Sequence, residues 1–419
     1  MSKITDAGVS SRERGPALER IRNEKMARSA FDYVRGSPTK FYEWLSKESE
    51  ALPEGPAIWI CGDCHTGNLG PTANAEGKFQ VEIRDFDQTV VGNPTHDLIR
   101  LGLSLASAAV ISDLPGLTIA EILEAMMRCY EAAFDRGFSE GRDLDEPNTI
   151  RGVSRRATKA TWETLAEEDT ENKSFRLPIG KTFWPLSVEE RHDIQRLFRT
   201  EEMRRLVTEV KGRDSDADIR MVDAAYWRKG CSSLGHLRYA VLLKIGTKSD
   251  PREHCLMDLK EAVKPGAPHA SGGGMPRDFA KRVKAGASHL SPYLGSRMRA
   301  VELMGKPVFV RELLPQDLKI EIEHLGREEA ARVAGYLAAI VGKAHGTQMD
   351  QDARKDWAKE LRRNRAKSLD APSWFWRSVV DLLIDHQSGY LEHCRAFANA
   401  SEGGRSRGRY EDDDDDRCS

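Results

Sequence analysis

Between residues 60 and 70 the chain reads ICGDCHTGNLG, and two kinds of chemistry overlap in it. Cys61, Cys64 and His65 have the C-x-x-C-H spacing that attaches a c-type haem, while Cys61 and Cys64 alone are spaced like a redox pair or half a zinc site. Asp63 and Asn68 are interleaved with them, five residues apart. A carboxylate and a carboxamide in a glycine-rich polar loop suit a different reaction. Phosphoryl transfer needs a base beside the attacking hydroxyl and oxygen ligands for Mg²⁺. The stretch RDFDQTVVGNPTHDL then adds Asp85 and Asp87, two further oxygen donors.

The cysteine readings weaken on inspection. Covalent haem attachment takes place outside the bacterial cytoplasm, yet MSKITDAGVSSRERG lacks the apolar stretch of an export signal. The longest apolar-leaning run, LIRLGLSLASAAVI, is interrupted by Arg100 and Ser104 and is too short to span a bilayer. A soluble cytoplasmic protein with no membrane partner is therefore expected. Its seven cysteines, an odd number thinly scattered, suit reduced thiols better than a disulfide framework. Zinc needs about four ligands, and Cys129, Cys231, Cys255, Cys394 and Cys418 form no second close pair. The carboxylates carry the stronger signal.

These residues must be positioned by a chain of 419 amino acids, long enough for two lobes with cores of their own. Its 64 Lys+Arg nearly balance 66 Asp+Glu, so no global charge favours nucleic acid, and no nucleic-acid partner is expected. Periodicity predicts helices over 11–50, strands at AIWIC (57–61) and KFQVEIRDF (78–86), and two apolar helices over 95–136. Residues 137–190 are polar and irregular, in the manner of a lid or substrate-facing insertion. WRKGCSSLGHLRYAVLLKIG and HCLMDLKEAV read as strand, glycine-containing turn, strand and third strand ending near Lys260. KPGAPHASGGGMP is a loop, RDFAKRVKAGASHL a helix and KPVFVRELL a strand, with helices following to residue 400. The charged, low-complexity 401–419 is expected to be unstructured.

An Asp followed five residues later by an Asn, in a loop entered from a strand, has the spacing of the kinase catalytic loop. GDCHTGNLG and DFDQTVVGNPTHDL resemble the HGDLHxGN and IDFxxxxxGdPxxDL segments of aminoglycoside and choline phosphotransferase-type kinases, in register from Asp85 to Gly92, Pro94 and Asp97. That resemblance implies Asp63 as catalytic base, Asn68 and Asp85 as Mg²⁺ ligands with Asp87 as a second acidic ligand, and Asp97 as a buried brace of the catalytic loop. His65 falls where those enzymes carry an architectural loop histidine.

In such kinases the nucleotide lobe precedes the catalytic loop, but here only helix precedes Asp63. The expected features come later. Gly230, Ser232 and Gly235 have G-x-G-x-x-G spacing with Ser233 inside the turn, Lys260 lies on the next strand but one, and Val310 to Leu313, including Arg311, would form an adenine-binding hinge. GYLAAIVGKAHG resembles the helix that precedes the catalytic loop. The resemblance thus implies an α+β, two-lobed protein-kinase-like fold, circularly permuted. Residues 1–205 would open the helical catalytic lobe, 206–325 form the β-rich nucleotide lobe and 326–400 complete the helices. From KMARSAFDYVRG (25–36) through KGCSSLG, LKEA, VFVREL and AHG, residues 15–400 also resemble the bacterial family DUF2252, a domain of unknown function. In that family Arg35 and Gly36 recur, and Arg35 would contact phosphate or substrate, or form a structural salt bridge.

The implied activity is ATP- and Mg²⁺-dependent phosphotransfer to a hydroxyl of a small molecule or protein. Nucleotidyl transfer by the same residues and a non-catalytic, ATP-binding module are the alternatives. Two departures favour the latter. Ser232 replaces the middle glycine, and no acidic residue lies between Asp278 and Glu302 to pair with Lys260, which leaves Glu261 as a candidate. Neither the substrate nor the oligomeric state can be read from the sequence.

Overall fold

The computed structural model describes residues 9–48, 51–135, 146–159, 176–231, 234–246, 253–270, 274–313, 325–363 and 371–407. Three helices open the chain: α1 (Arg14–Met26), α2 (Ala30–Gly36) and α3 (Pro38–Glu48). Ser29 starts α2 as an N-cap, its hydroxyl accepting from Asp32 N–H at 3.0 Å. Four short strands follow: β1 (Ile58–Ile60), β2 (Leu69–Ala73), β3 (Phe79–Ile83) and β4 (Val90–Gly92). They form two antiparallel pairs, β1 with β4 and β2 with β3. β2 and β4 are additional to the two strands that periodicity predicts here, because LGPTA and VVG are too short to show an alternation.

Next come α4 (Thr95–Ile111), α5 (Gly116–Ala132) and α6 (Asn148–Lys159). Every residue of α4 from Thr95 to Ala109 is buried, as expected of a helix that is apolar nearly all round and central to a core. α6 lies inside the segment expected to be irregular. Its neighbours 136–145 and 160–175 are outside the described residues.

The chain then builds β5 (Phe183–Trp184), α7 (Val188–Leu197), α8 (Glu201–Thr208), β6 (Asp218–Trp227), β7 (Arg238–Gly246), β8 (Glu253–Glu261), α9 (Phe279–Leu290), α10 (Pro292–Ser296), β9 (Met298–Leu303) and β10 (Lys306–Leu313). β5 to β10 make one six-stranded sheet in the order β5-β6-β7-β8-β10-β9, antiparallel throughout. The chain closes with α11 (Arg327–Gly346), α12 (Gln351–Leu361) and α13 (Ser373–Arg407). α13 runs seven residues into the segment expected to be unstructured, and 408–419 lie outside the described residues.

Two large cores divide the α+β architecture. One joins α2 to α5, β1, β3, β4, α9 and α11 to α13 through side chains such as Phe41, Ile60, Leu98, Met126, Val283, Leu337 and Phe375. The other covers one face of the sheet with α1, α7 and α8, where Leu18, Ile194 and Met203 meet Val241, Met257 and Val310.

The expected lobe boundary at residue 206 therefore shifts. β5 pairs with β6, α7 and α8 pack on the sheet, and α1 joins them, fixed by Arg14 to Glu190 at 2.6 Å. The capping box of Ser187 and Glu190 is local and legible, but the face that α7 buries is set by its distant partner. α9 instead buries Ala280, Val283 and Ala287 in the first core. Among the described residues, no helix is long and apolar enough to cross a membrane.

Candidate active site

The loop that joins β1 to β2 is held from below by one carboxylate. Asp97, fully buried in the first turn of α4, accepts from Cys61 N–H at 2.7 Å and from Gly62 N–H at 2.8 Å. His345 near the end of α11 donates from Nε2 to the same carboxylate at 3.2 Å, and its Nδ1 accepts from the Tyr130 hydroxyl at 2.9 Å. Gly62 sits at φ +80°, and a Cβ there would lie 2.2 Å from the Gln88 carbonyl oxygen, so only glycine fits. Asp97 thus ties the Cys61–Gly62 backbone to α4 and α11 through these three hydrogen bonds, with His345 of the AHG segment as the third partner.

Asp63 follows Gly62 and is 6% exposed. Its Oδ1 accepts from Arg100 Nε at 2.7 Å, and Arg100, fully buried on α4, also donates from Nη2 to the Val34 carbonyl at 2.6 Å. Asn68 donates from Nδ2 to the Asp63 carbonyl at 2.9 Å, which leaves its amide oxygen as the atom able to ligate. His65 caps the single 3-10 turn Thr66–Asn68 by accepting from Gly67 N–H at Nδ1, 3.1 Å away. Burial pulls its pKa down to about 4, so the ring is neutral. Arg100 is the partner of Asp63, a role not read from the sequence. An arginine inside an otherwise apolar helix, three residues after Asp97, was the available signal.

The β2–β3 ladder brings the acidic segment alongside this loop. Leu69 pairs with Ile83, and Arg84 N–H donates to the Asn68 carbonyl at 2.7 Å, so Asp85 emerges beside Asn68. Lys260 reaches it from the sheet. Strand alternation sends Cys255, Met257 and Leu259 of β8 into the second core and leaves Leu256, Asp258 and Lys260 on the opposite face. Lys260, 4% exposed, places Nζ 3.5 Å from both Asp85 oxygens and in closer contact with Asp87 Oδ2. Its acidic partners are thus these two aspartates. Glu261, the candidate from sequence, faces the other way, accepts from Leu237 N–H and pairs with Lys306 at 3.0 Å.

The two aspartates differ in how readily they ionise. Burial works against ionising Asp85, but Lys260, Arg311 and Arg238 outweigh it and hold its carboxyl down at about 2. Burial first, and the Asp85 charge second, push Asp87 up to about 6. Asp87 therefore serves chiefly as the partner of Lys260, while its Oδ1 is buried without a hydrogen-bond partner among the described residues. Arg282 of α9 donates to the Asp87 carbonyl at 2.9 Å and to that of Thr89, locking the backbone behind the pair.

Beside Lys260, Arg238 clasps Asp258 with two bonds of 2.9 and 2.7 Å, and Arg311 reaches Asp258 at 3.3 Å and the Arg84 carbonyl at 2.8 Å. Arg311 is thus a bridge between the sheet and the acidic segment, not part of a hinge. Val310 is not a nucleotide contact either. Its side chain is fully buried in the second core, and β10 lies between β8 and β9, so its backbone is spent on two ladders.

The turn between β6 and β7 has the expected place. Gly230 at φ +90° and Gly235 at φ +106° need glycine's freedom, and the Gly230 carbonyl accepts from Lys25 at 2.7 Å. Ser232 and Ser233 lie outside the described residues. The cysteines of the opening motif are free thiols, both buried, and a hydrogen bond with Cys64 together with burial holds Cys61 well above the ordinary thiol range. Among the described residues no three His, Cys, Asp or Glu side chains form a metal-holding group, so Cys61 and Cys64 gain no further ligands of those types.

Residues 14–396 match the family described as an uncharacterized protein conserved in bacteria, DUF2252. The chain belongs to that family. The match spans both cores and every site residue named above. No curated protein and no solved structure matches the chain.

Proposed function

We propose that the protein is an ATP- and Mg²⁺-dependent phosphotransferase acting on a hydroxyl group. One observation carries the reading. Lys260, on the second strand after the glycine turn, meets Asp85, 175 residues earlier in the chain, with Asp63 and Asn68 on the adjoining loop. A lysine on an antiparallel strand two strands past a glycine turn, an aspartate at the end of a strand and an Asp-x₄-Asn loop are working parts of kinases. The sheet order and the permuted placement of its strands support the same reading.

The donor set suits Mg²⁺. The Asp85 carboxylate is held ionised with 37% of its side chain accessible, the Asn68 amide nitrogen is taken up by the Asp63 carbonyl so that its oxygen is the atom left to ligate, and Asp87 Oδ1 lacks a partner among the described residues. All are hard oxygen ligands. The ion, when held there, would neutralise phosphate charge. Lys260 would add a cation for the phosphates, with Gly230 and Gly235 bordering them. Arg100 keeps Asp63 oriented through Oδ1, which leaves Oδ2 to take the acceptor proton. The acceptor oxygen then forms its bond to the γ-phosphorus as the bond to the bridging oxygen breaks and ADP departs. The acceptor is a small molecule or a protein.

One observation favours nucleotidyl transfer as a second reading. Asp258, two residues before Lys260 on the same face, is wholly buried between Arg238 and Arg311, so charge stands where a purine in the usual orientation seeks apolar surface. A nucleotide bound the other way round would present its α-phosphate. Incubation with γ-³²P-ATP and with α-³²P-ATP plus Mg²⁺ separates the readings. Label from γ alone, lost in Asp63→Asn and Asp85→Asn, is the expected result. Label from α would move the assignment to nucleotidylation, and a wild-type protein that neither binds nor turns over ATP sinks both.

A further inference from the structure

Arg35 precedes the last residue of α2 and carries five N–H donors, yet it makes no hydrogen bond among the described residues. Its Nε is buried and unpartnered among them, Asp32 is 3.9 Å from Nη1, its guanidinium carbon is 5.6 Å from the Phe31 ring centroid, and 29% of its side chain remains accessible. The donors are thus held in place by the helix and the ring and stay open to an anionic ligand.

Its location says what that is. A Cβ on Gly67 would lie 2.8 Å from Arg35 Nη2, so the guanidinium rests directly on the loop between Asp63 and Asn68. The adjacent Gly36 approaches the β6–β7 turn, where a Cβ would lie 2.8 Å from Cys231 Sγ, next to Gly230. Charge on Arg35 is felt by both His65 and Cys231. Arg35 therefore stands beside the loop that carries Asp63 and Asn68, one residue from the approach to Cys231. Within the phosphotransferase reading, on which this inference rests, the transferring phosphoryl is the anion that this position would meet.

We propose that Arg35 is a catalytic residue that binds the γ-phosphoryl oxygens, an arginine supplied from within the chain. In the transfer the acceptor oxygen bonds to the γ-phosphorus, its proton passes to Asp63, and the electron pair of the breaking bond leaves with ADP. Arg35 meets the negative charge on the three equatorial oxygens throughout. Its planar fork fits two of them at once, which a lysine cannot do.

The test compares ATP with ADP, each with Mg²⁺, by calorimetric titration of the full chain and of Arg35→Gln and Arg35→Lys. Wild type is expected to bind ATP more tightly than ADP. In Arg35→Gln the ATP affinity should fall about ten- to a hundredfold, the size of lost charge-assisted bonds, while ADP stays within about twofold. Arg35→Lys should recover part of the difference. Retained ADP binding shows that the variant is folded. An unchanged ATP:ADP ratio in Arg35→Gln, parallel loss of both nucleotides, or a wild type that does not distinguish them overturns the role of Arg35 and leaves the phosphotransferase reading standing. A wild type that binds neither nucleotide removes that reading, and the inference with it.

Discussion

Asp97→Asn isolates the brace beneath the β1–β2 loop. The carboxylate accepts two backbone N–H bonds of 2.7 and 2.8 Å and a third bond from His345 at 3.2 Å, all with no solvent access. An asparagine fits the same volume but offers a single oxygen, so its NH₂ must face either the Gly62 N–H, or the Cys61 N–H together with the Nε2–H of His345. In the cheaper arrangement one charge-assisted bond of about 1.5–3 kcal/mol is lost, and the donor left unpaired adds about 1–3 kcal/mol. The combined effect is roughly 3–5 kcal/mol on docking of the loop. Each 1.4 kcal/mol is about tenfold in an opening equilibrium, so native-state hydrogen exchange over 58–68 should quicken by about 10²- to 4 × 10³-fold, read by mass spectrometry. Asp352→Asn, at an exposed helix start, is the control and should change nothing there. Protection of 58–68 that survives Asp97→Asn, or that falls only in step with the whole protein, would refute the bracing argument.

Arg100→Met should destabilise the fold by about 3–5 kcal/mol, because it strands Asp63 without its buried partner. In urea titrations the double variant Asp63→Asn/Arg100→Met should be less destabilised than the sum of the singles, and strict additivity would count against a coupled pair. Acid should also weaken the fold through three buried histidines, which outnumber the two raised carboxyls, Asp87 and Glu82, that act with the opposite sign. Burial lowers the pKa of His65 and His96 to about 4 and that of His386 to about 3, below the unfolded value of about 6.5. The unfolded chain binds more protons between those values, so stability falls as pH drops from about 6.5 towards 4. Melting temperatures should decline across that window, and His65→Asn should flatten part of the decline; a flat profile down to pH 4.5 would contradict it.

Much of the site was legible because its signals are local. Asp63, Asn68, Asp85 and Asp97 lie within 35 residues, and their spacing reflects one loop, one hairpin and one helix start. The glycine turn and Lys260 were legible for the same reason, as successive strands. The partners of Lys260 were not, because Asp85 and Asp87 come from a segment more than 170 residues earlier, whereas the acid nearest in sequence is Glu261. Val310 and Arg311 show the limit of strand periodicity. Alternation says that the two point oppositely, but which face is core depends on α1, α7 and α8 packing there.

The sequence by itself determined the chemistry on offer. The carboxylates, the amide, the lysine and the glycines are fixed by residue type and short spacing, and so are the strongly periodic helices α4 and α11. Tertiary structure decided how they are used. It buried Arg100 against Asp63, set His345 under Asp97 across 248 residues, gave Lys260 to Asp85 and Asp87, and moved α1, α7 and α8 onto the sheet. Each of these is a long-range pairing of groups that cannot be buried alone. Burial selects the partner by geometry that no stretch of neighbouring residues records.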